Sequence, residues 1–183
     1  MTTMHTLAIY VEDRPGVLNR VASLFRRRGF NIHSLAVGHS ETAGVSRMTT
    51  VVHTDAGGAL RLRAHLNKLV HVVRVEDITH RSSIVRDLAL IKVTADHATR
   101  SSLMQLAQVF DARVVDVAAD SLVLEMTASA SRIDALLEVL RPYGLVEMAR
   151  TGRIAMTRGP AAELSIPSAG FEREAEAGVS YSV

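Results

Sequence analysis

Residues 6–38 read TLAIYVEDRPGVLNRVASLFRRRGFNIHSLAVG, and the change of period inside this stretch decides the fold. Over residues 6–11 the apolar side chains Leu7, Ile9 and Val11 recur at every second position, the period of a half-buried strand. Asp13-Arg14-Pro15-Gly16 interrupts it. From Val17 onward Leu18, Val21, Ala22 and Phe25 follow helical spacing, and Arg26, Arg27 and Arg28 close the helix where cations suit its dipole. Gly29 ends the helix, and residues 31–38 return to strand.

Working outward, residues 45–53 (VSRMTTVVH) form a third strand rich in β-branched side chains. Leu62, Leu66 and Leu69 mark a second helix, and residues 71–78 a fourth strand, giving the order βαββαβ. The second half repeats it. Residues 88–95 read as a strand, Leu103, Leu106, Ala107 and Phe110 as a helix, and residues 113–118 and 122–127 as two strands. Ile133, Leu136, Leu137 and Leu140 give the second helix, opened by Ser131 with Asp134 three residues on in the manner of a capping box. Pro142 and Gly144 close it. Residues 145–150 make the last strand, followed by a short hairpin arm at 153–157.

Each half is an antiparallel sheet backed by helices on one side, an α+β architecture. Its other face or its edges need cover, so association is expected. The domains span 1–79 and 87–159, joined by a polar linker at 80–86. Seventeen of the last 24 residues are Ala, Glu, Ser, Gly or Pro, and residues 160–183 read as a disordered tail.

Composition bounds the function. The chain has 183 residues, no cysteine and no tryptophan, and 21 Lys+Arg against 19 Asp+Glu leave a formal charge of only +2. That bias is too small to imply a polyanion partner, and the few aromatic rings count against a base-stacking surface. Without cysteine there is no disulfide framework, thiolate nucleophile or Cys-ligated zinc. The eight histidines show neither HExxH nor paired i, i+4 spacing, so no metal site is expected. GxSxG, P-loop and GxGxxG patterns are absent, and Ser46-Arg47 has no His or carboxylate partner nearby in sequence. No catalytic residue is expected. Neither a membrane-length apolar run nor a signal peptide is visible, and a cytoplasmic location follows as the default.

The loop before the first helix carries the strongest binding signal. Pro15 suits a first helical position, and the N–H groups of Gly16, Val17 and Leu18 point out of the helix start, where they attract an anion such as an amino-acid carboxylate. A plain tight turn with Asp13 as N-cap explains the same residues. Asn31 can both donate and accept, which suits a zwitterion, or it can serve its own turn.

The strings at 11–38, 46–52 and 67–79, with 85–93, 109–127 and 140–159 in the second half, resemble the regulatory (small) subunit of acetolactate synthase, or acetohydroxyacid synthase. The resemblance covers residues 5–159. It implies two tandem ferredoxin-like domains, the first an ACT domain, in a non-catalytic chain that activates a thiamine-diphosphate-dependent large subunit and confers feedback inhibition, commonly by valine. It also implies a homodimer through the ACT domains, no cofactor on this chain, and thiamine diphosphate, Mg and FAD on the catalytic partner. The effector is then expected between the loop Asp13, Gly16, Val17 and Leu18 of one chain and Asn31 and Ile32 of the other. Two positions depart from the family pattern: Asp13 where Asn is frequent, and His33 where many members carry Glu. A carboxylate at 13 attracts an effector's ammonium and repels its carboxylate.

Three rivals share parts of this reading. An ACT sensor of another enzyme explains only the first half. An RNA-recognition module needs an aromatic-rich third strand, which VSRMTTVVH lacks. A small hydrolase on the same topology needs convergent Arg and Asn groups around a phosphate loop, and Pro15-Gly16-Val17 supplies no side-chain donor.

Overall fold

The computed structural model describes residues 1–159; the predicted tail at 160–183 lies outside the described residues. Strand β1 (Thr3–Glu12) leads through the interrupting loop into helix α1 (Val17–Arg27), followed by β2 (Ile32–His39), β3 (Val45–Thr54), α2 (Ala56–Leu66) and β4 (Val72–Asp77). The second half runs β5 (Ser83–Thr94), α3 (Arg100–Phe110), β6 (Arg113–Val117), β7 (Ser121–Ala128), α4 (Ala130–Leu140), β8 (Leu145–Arg150) and β9 (Ile154–Thr157). The sheets are antiparallel, ordered β2-β3-β1-β4 and β6-β7-β5-β8, so the repeat seen in the sequence is a repeat of topology. Both have the predicted βαββαβ, α+β organisation.

One face of each sheet carries the core. Leu7, Ile9 and Val11 of β1 and Met48 and Val52 of β3 meet Val17, Val21, Leu24 and Phe25 of α1 and Leu62 and Leu66 of α2. Ala89, Ile91 and Val93 of β5 meet Leu103 and Ala107 of α3 and Ile133, Leu136 and Leu140 of α4 in the same way. Burying one such side chain is worth about 1.5–3 kcal/mol, which makes the alternating and helical periods the main determinants of which face turns inward. Asp55 caps α2 by accepting the Gly58 N–H.

Several local expectations are corrected. Leu69 lies beyond α2 yet still packs on the first core, because the chain turns back after Leu66. At α4 the N-cap is Ser129, two residues before the predicted one, so Ser131 and Asp134 both lie inside the helix and the predicted capping box does not form; Asp134 pairs with Arg150. Strand β5 begins at Ser83, well before the predicted start at Leu88. Its first four residues pair with β9, Ser83 opposite Thr157 and Arg86 opposite Ile154, so the predicted hairpin arm is one half of a two-stranded ribbon.

That ribbon lies on the outer face of the first sheet. Ala8 of β1, Ile78 and Ala155 of β9 form a small core of their own, with Tyr10 and Val85 against it. Arg47 stands over the Tyr10 ring, 5.7 Å from its centroid, and donates to the Ala155 carbonyl at 2.5 Å. Its partners are thus a ring of β1 and a backbone carbonyl of β9, neither a His nor a carboxylate. The open face of the first sheet is thus covered largely by the chain's own second half.

At the far end of β1 the buried His5 ring meets the Asp77 carboxylate, Nδ1 to Oδ2 at 3.1 Å, while the Thr79 hydroxyl and its N–H donate to Asp77 Oδ1. Burial alone would push the Asp77 carboxyl up; the hydrogen bonds from Thr79 and His5 outweigh it and hold the group below its ordinary value. A carboxylate depressed on folding stabilises above its unfolded value, near pH 4, and that contribution is lost as pH falls through the lower folded value. Thermal melts from pH 5 downward should therefore show a smaller loss of Tm for Asp77→Asn than for the parent; an unchanged slope would mean the cluster contributes nothing to acid stability.

Candidate functional site

The loop between β1 and α1 is built by backbone hydrogen bonds that fasten it to two neighbouring strand ends. Glu12 N–H donates to the His71 carbonyl at 2.9 Å and Asp13 N–H to the Gly44 carbonyl at 2.8 Å. The Glu12 carboxylate holds Arg14 Nε and His71 Nδ1, each at 2.8 Å. Val17 N–H then reaches back to the Arg14 carbonyl at 3.4 Å, closing a turn with Pro15 and Gly16 at its centre.

Gly16 has φ 81° and ψ −7°, the values of the third residue of a type II turn, which calls for glycine there. The helix begins at Val17, so Pro15 lies in the turn, two residues ahead of the first helical position assigned to it. Gly16 is the N-cap, and among the described residues no side chain caps the helix. Asp13 instead faces His39 at the end of β2, Oδ2 to Nδ1 at 3.5 Å. The N-cap reading of Asp13 is therefore replaced. Among the described residues the N–H groups of Gly16 and Leu18 have no backbone acceptor, and the start of α1 presents unpaired donors on the surface.

The six expected site residues divide sharply. Val17 turns its side chain into the core and its N–H is taken by the Arg14 carbonyl, so it drops out of the expected donor set, whereas Leu18 is 44% exposed beside the free helix end. Asp13 and Gly16 are exposed. Asn31 is exposed just before β2, and Ile32 is half-buried against the core. Since α1 has 11 residues and each advances about 1.5 Å, Asn31 and Ile32 lie about 16 Å below the loop, at the opposite end of the sheet. One chain does not bring the two groups together.

The edge position of β2 matters here. Among the described residues it pairs only with β3, and its register shifts between Ile32, opposite Val52, and Ser34, opposite Val51. The extra residue, His33, lets both Ile32 and Leu35 pack on the core while Ser34 turns to the outer face.

There Ser34 meets a cluster that the sequence reading missed. A cavity of about 450 Å3 opens between β2 and the second domain, lined among others by His33, Asp87, Asp134, Arg150 and Arg153. Arg150 donates from Nε and Nη2 to Asp87 Oδ2 and from Nη1 to Asp134 Oδ1. Burial works against the Arg150 charge, but the two carboxylates outweigh it and raise its pKa. Arg153 N–H donates to Ser34 Oγ at 2.7 Å. These partners lie far apart along the chain, and no local spacing signals them. Among the described residues no group of three or more His, Cys, Asp or Glu could hold a metal, and no helix is long and apolar enough to cross a membrane.

Comparison with known proteins matches the two halves separately. Residues 7–74 fit the family described as the AHAS small subunit-like ACT domain, and residues 86–159 the family described as the small subunit of acetolactate synthase. An acetolactate synthase small subunit of Mycolicibacterium smegmatis is 47% identical over 159 residues, covering 87% of this chain and 94% of that one. The Bacillus subtilis counterpart is 47% identical over 154 residues, 84% of this chain and 90% of that one. The crystal structure of the Thermotoga maritima acetolactate synthase small subunit superposes with a TM-score of 0.81 at 35% identity, over 87% of this chain and 99% of that one. The tandem ferredoxin-like arrangement, with an ACT domain first, is thereby shared with a solved relative.

Proposed function

Because the chain belongs to the family of acetolactate synthase small subunits, we propose that it is the non-catalytic regulatory partner of a thiamine-diphosphate-dependent large subunit, which it activates and places under feedback inhibition by a branched-chain amino acid. Valine is the effector we favour, and thiamine diphosphate, Mg and FAD belong to the large subunit. The active assembly works in the cytoplasm.

The observation that carries the effector reading is the placement of the two half-sites at opposite ends of a sheet whose edge strand is β2. A two-fold pairing is isologous: two copies meeting edge to edge run their β2 strands antiparallel. Such a pairing sets the Gly16 end of one copy beside the Asn31 end of the other. The unpaired N–H groups at Gly16 and Leu18 then donate to the effector's carboxylate, Asn31 and Asp13 face its ammonium, and Leu18 and Ile32 line its side chain. Each homodimer forms two equivalent sites.

Feedback control requires that valine bind the inhibited and active assemblies with different affinity; a coupling of about 1–3 kcal/mol is typical. A ligand held between two copies meets that requirement, since shifting one copy changes both the site and the surface offered to the large subunit. The test is reconstitution: acetolactate formation by the large subunit, with and without this chain, across valine, leucine and isoleucine. Activation by the chain and saturable inhibition by one of the three are expected. Unchanged activity on adding the chain would remove the regulatory reading.

A further inference from the structure

We infer that residues 150–153 act as a latch that holds β2 in position from the outer face of the first sheet, making the second domain a part of the effector response. The regulatory half of this inference rests on the effector reading above; the positional half does not.

An edge strand is hydrogen-bonded on one side only and is among the elements most easily loosened in a sheet. Here β2 has a second attachment. Gly152 packs directly on the Leu35–Ala36 peptide: a Cβ at that position would stand 2.5 Å from the Leu35 carbonyl carbon and 2.9 Å from the Ala36 nitrogen, and closer still to the Leu35 oxygen. No side chain fits there. The obstacle is backbone, so it cannot swing away as the tip of a flexible side chain would. One residue on, Arg153 N–H donates to Ser34 Oγ at 2.7 Å. The bulge at His33 is what turns Ser34 toward this donor.

The other end of the segment is fixed in the second domain. Arg150 closes β8 and grips Asp87 of β5 and Asp134 of α4, so it joins a sheet and a helix of that domain. Thr151 adds a backbone bond, its N–H donating to the Leu88 carbonyl at 2.9 Å. Residues 150 and 151 are therefore anchored to one body, and residues 152 and 153 to the strand of the other. Ser34 and Leu35 follow Asn31 and Ile32 by only a few residues, across the bulge. A change in the docking of the second domain thus moves the strand that carries half of the effector site, and by linkage the effector biases that docking in return.

The test uses the full chain, free and assembled with its large subunit, in two variants, Gly152→Ala and Ser34→Ala. The latch predicts faster amide hydrogen exchange in β2 for both, about tenfold or more for Gly152→Ala and a few-fold for Ser34→Ala. It also predicts that half-inhibition by valine requires about tenfold more valine in the Gly152→Ala assembly, while activation without valine stays within about twofold. Exchange in β2 that matches the parent in Ser34→Ala and Gly152→Ala overturns the latch. Ser34→Ala removes one acceptor without adding bulk, so it decides the matter alone if Gly152→Ala fails to fold. Faster exchange with an unchanged valine response overturns the regulatory half and leaves a structural clamp. A parent chain that binds no branched-chain amino acid by calorimetry removes the effector reading instead, and the exchange measurement still judges the latch.

Discussion

Gly16→Val is expected to abolish amino-acid inhibition of the assembled synthase while leaving activation by the chain within about twofold of the parent, a loss of the whole coupling, about 1–3 kcal/mol in such control. Two effects combine. At φ 81° a β-branched residue is strained, at a cost of about 1–2 kcal/mol, and the first turn of α1 shifts to relieve it. A Cβ at Gly16 meets no heavy atom within 4 Å among the described residues, so bulk added there enters open space beside the helix start. The variant should therefore fold, slightly destabilised, with its free N–H groups obstructed. Gly16→Ala separates the two contributions: it brings most of the strain with little bulk, and should retain part of the response. Valine titrations of both variants, with urea denaturation to follow stability, check the prediction. If Gly16→Val remained as valine-sensitive as the parent, the effector would bind elsewhere.

The largest stability effect is expected at the Arg150 clamp. The Asp87 side chain is only 8% exposed, and its Oδ2 accepts from Arg150 Nη2 at 2.9 Å and Nε at 3.2 Å. Its Oδ1 is buried with no hydrogen-bond partner among the described residues. Removing the guanidinium with Arg150→Met leaves that carboxylate buried without its counter-charge, at a cost of about 3–5 kcal/mol. The double variant Asp87→Leu/Arg150→Met removes both charges, and replacing a buried pair with apolar groups is commonly neutral or stabilising by about 1–4 kcal/mol. Most of the loss should therefore be recovered. Urea unfolding of the single and double variants measures this directly. A double variant as unstable as Arg150→Met would show that the guanidinium matters for its shape and not for its charge. Arg150→Met should also loosen β2, since the latch loses its anchor in the second domain.

Much of the fold was legible because it is written in short-range periods. Leu7, Ile9 and Val11 at spacing two, and Leu103, Leu106, Ala107 and Phe110 at helical spacing, select a buried face with no knowledge of what will cover it. Errors arose where a helix starts at a different residue from the one its local signal marks. Ser131 and Asp134 have the spacing of a capping box, but α4 begins earlier, after Ser129, so both lie inside it. Pro15 suits a helix start, yet the positive φ of Gly16 puts the start after it. The candidate site was half legible. Gly16 and the free helix end follow from residues adjacent in sequence, and the family motifs point to Asn31 and Ile32.

By itself the sequence determined the two βαββαβ units, their order and the loop with unpaired donors, because each depends on neighbours within a turn or a strand's length. The tertiary structure alone decided that loop and Asn31 lie at opposite ends of one sheet, that β5 and β9 cover its outer face, and that Gly152 rests on the backbone of β2. The last of these depends on residues more than a hundred positions apart, such as Ser34 and Arg153, whose meeting is set by how two finished domains pack. No periodicity encodes such a meeting; it is fixed by shape, by one missing side chain and by where a buried charge finds its counter-charge.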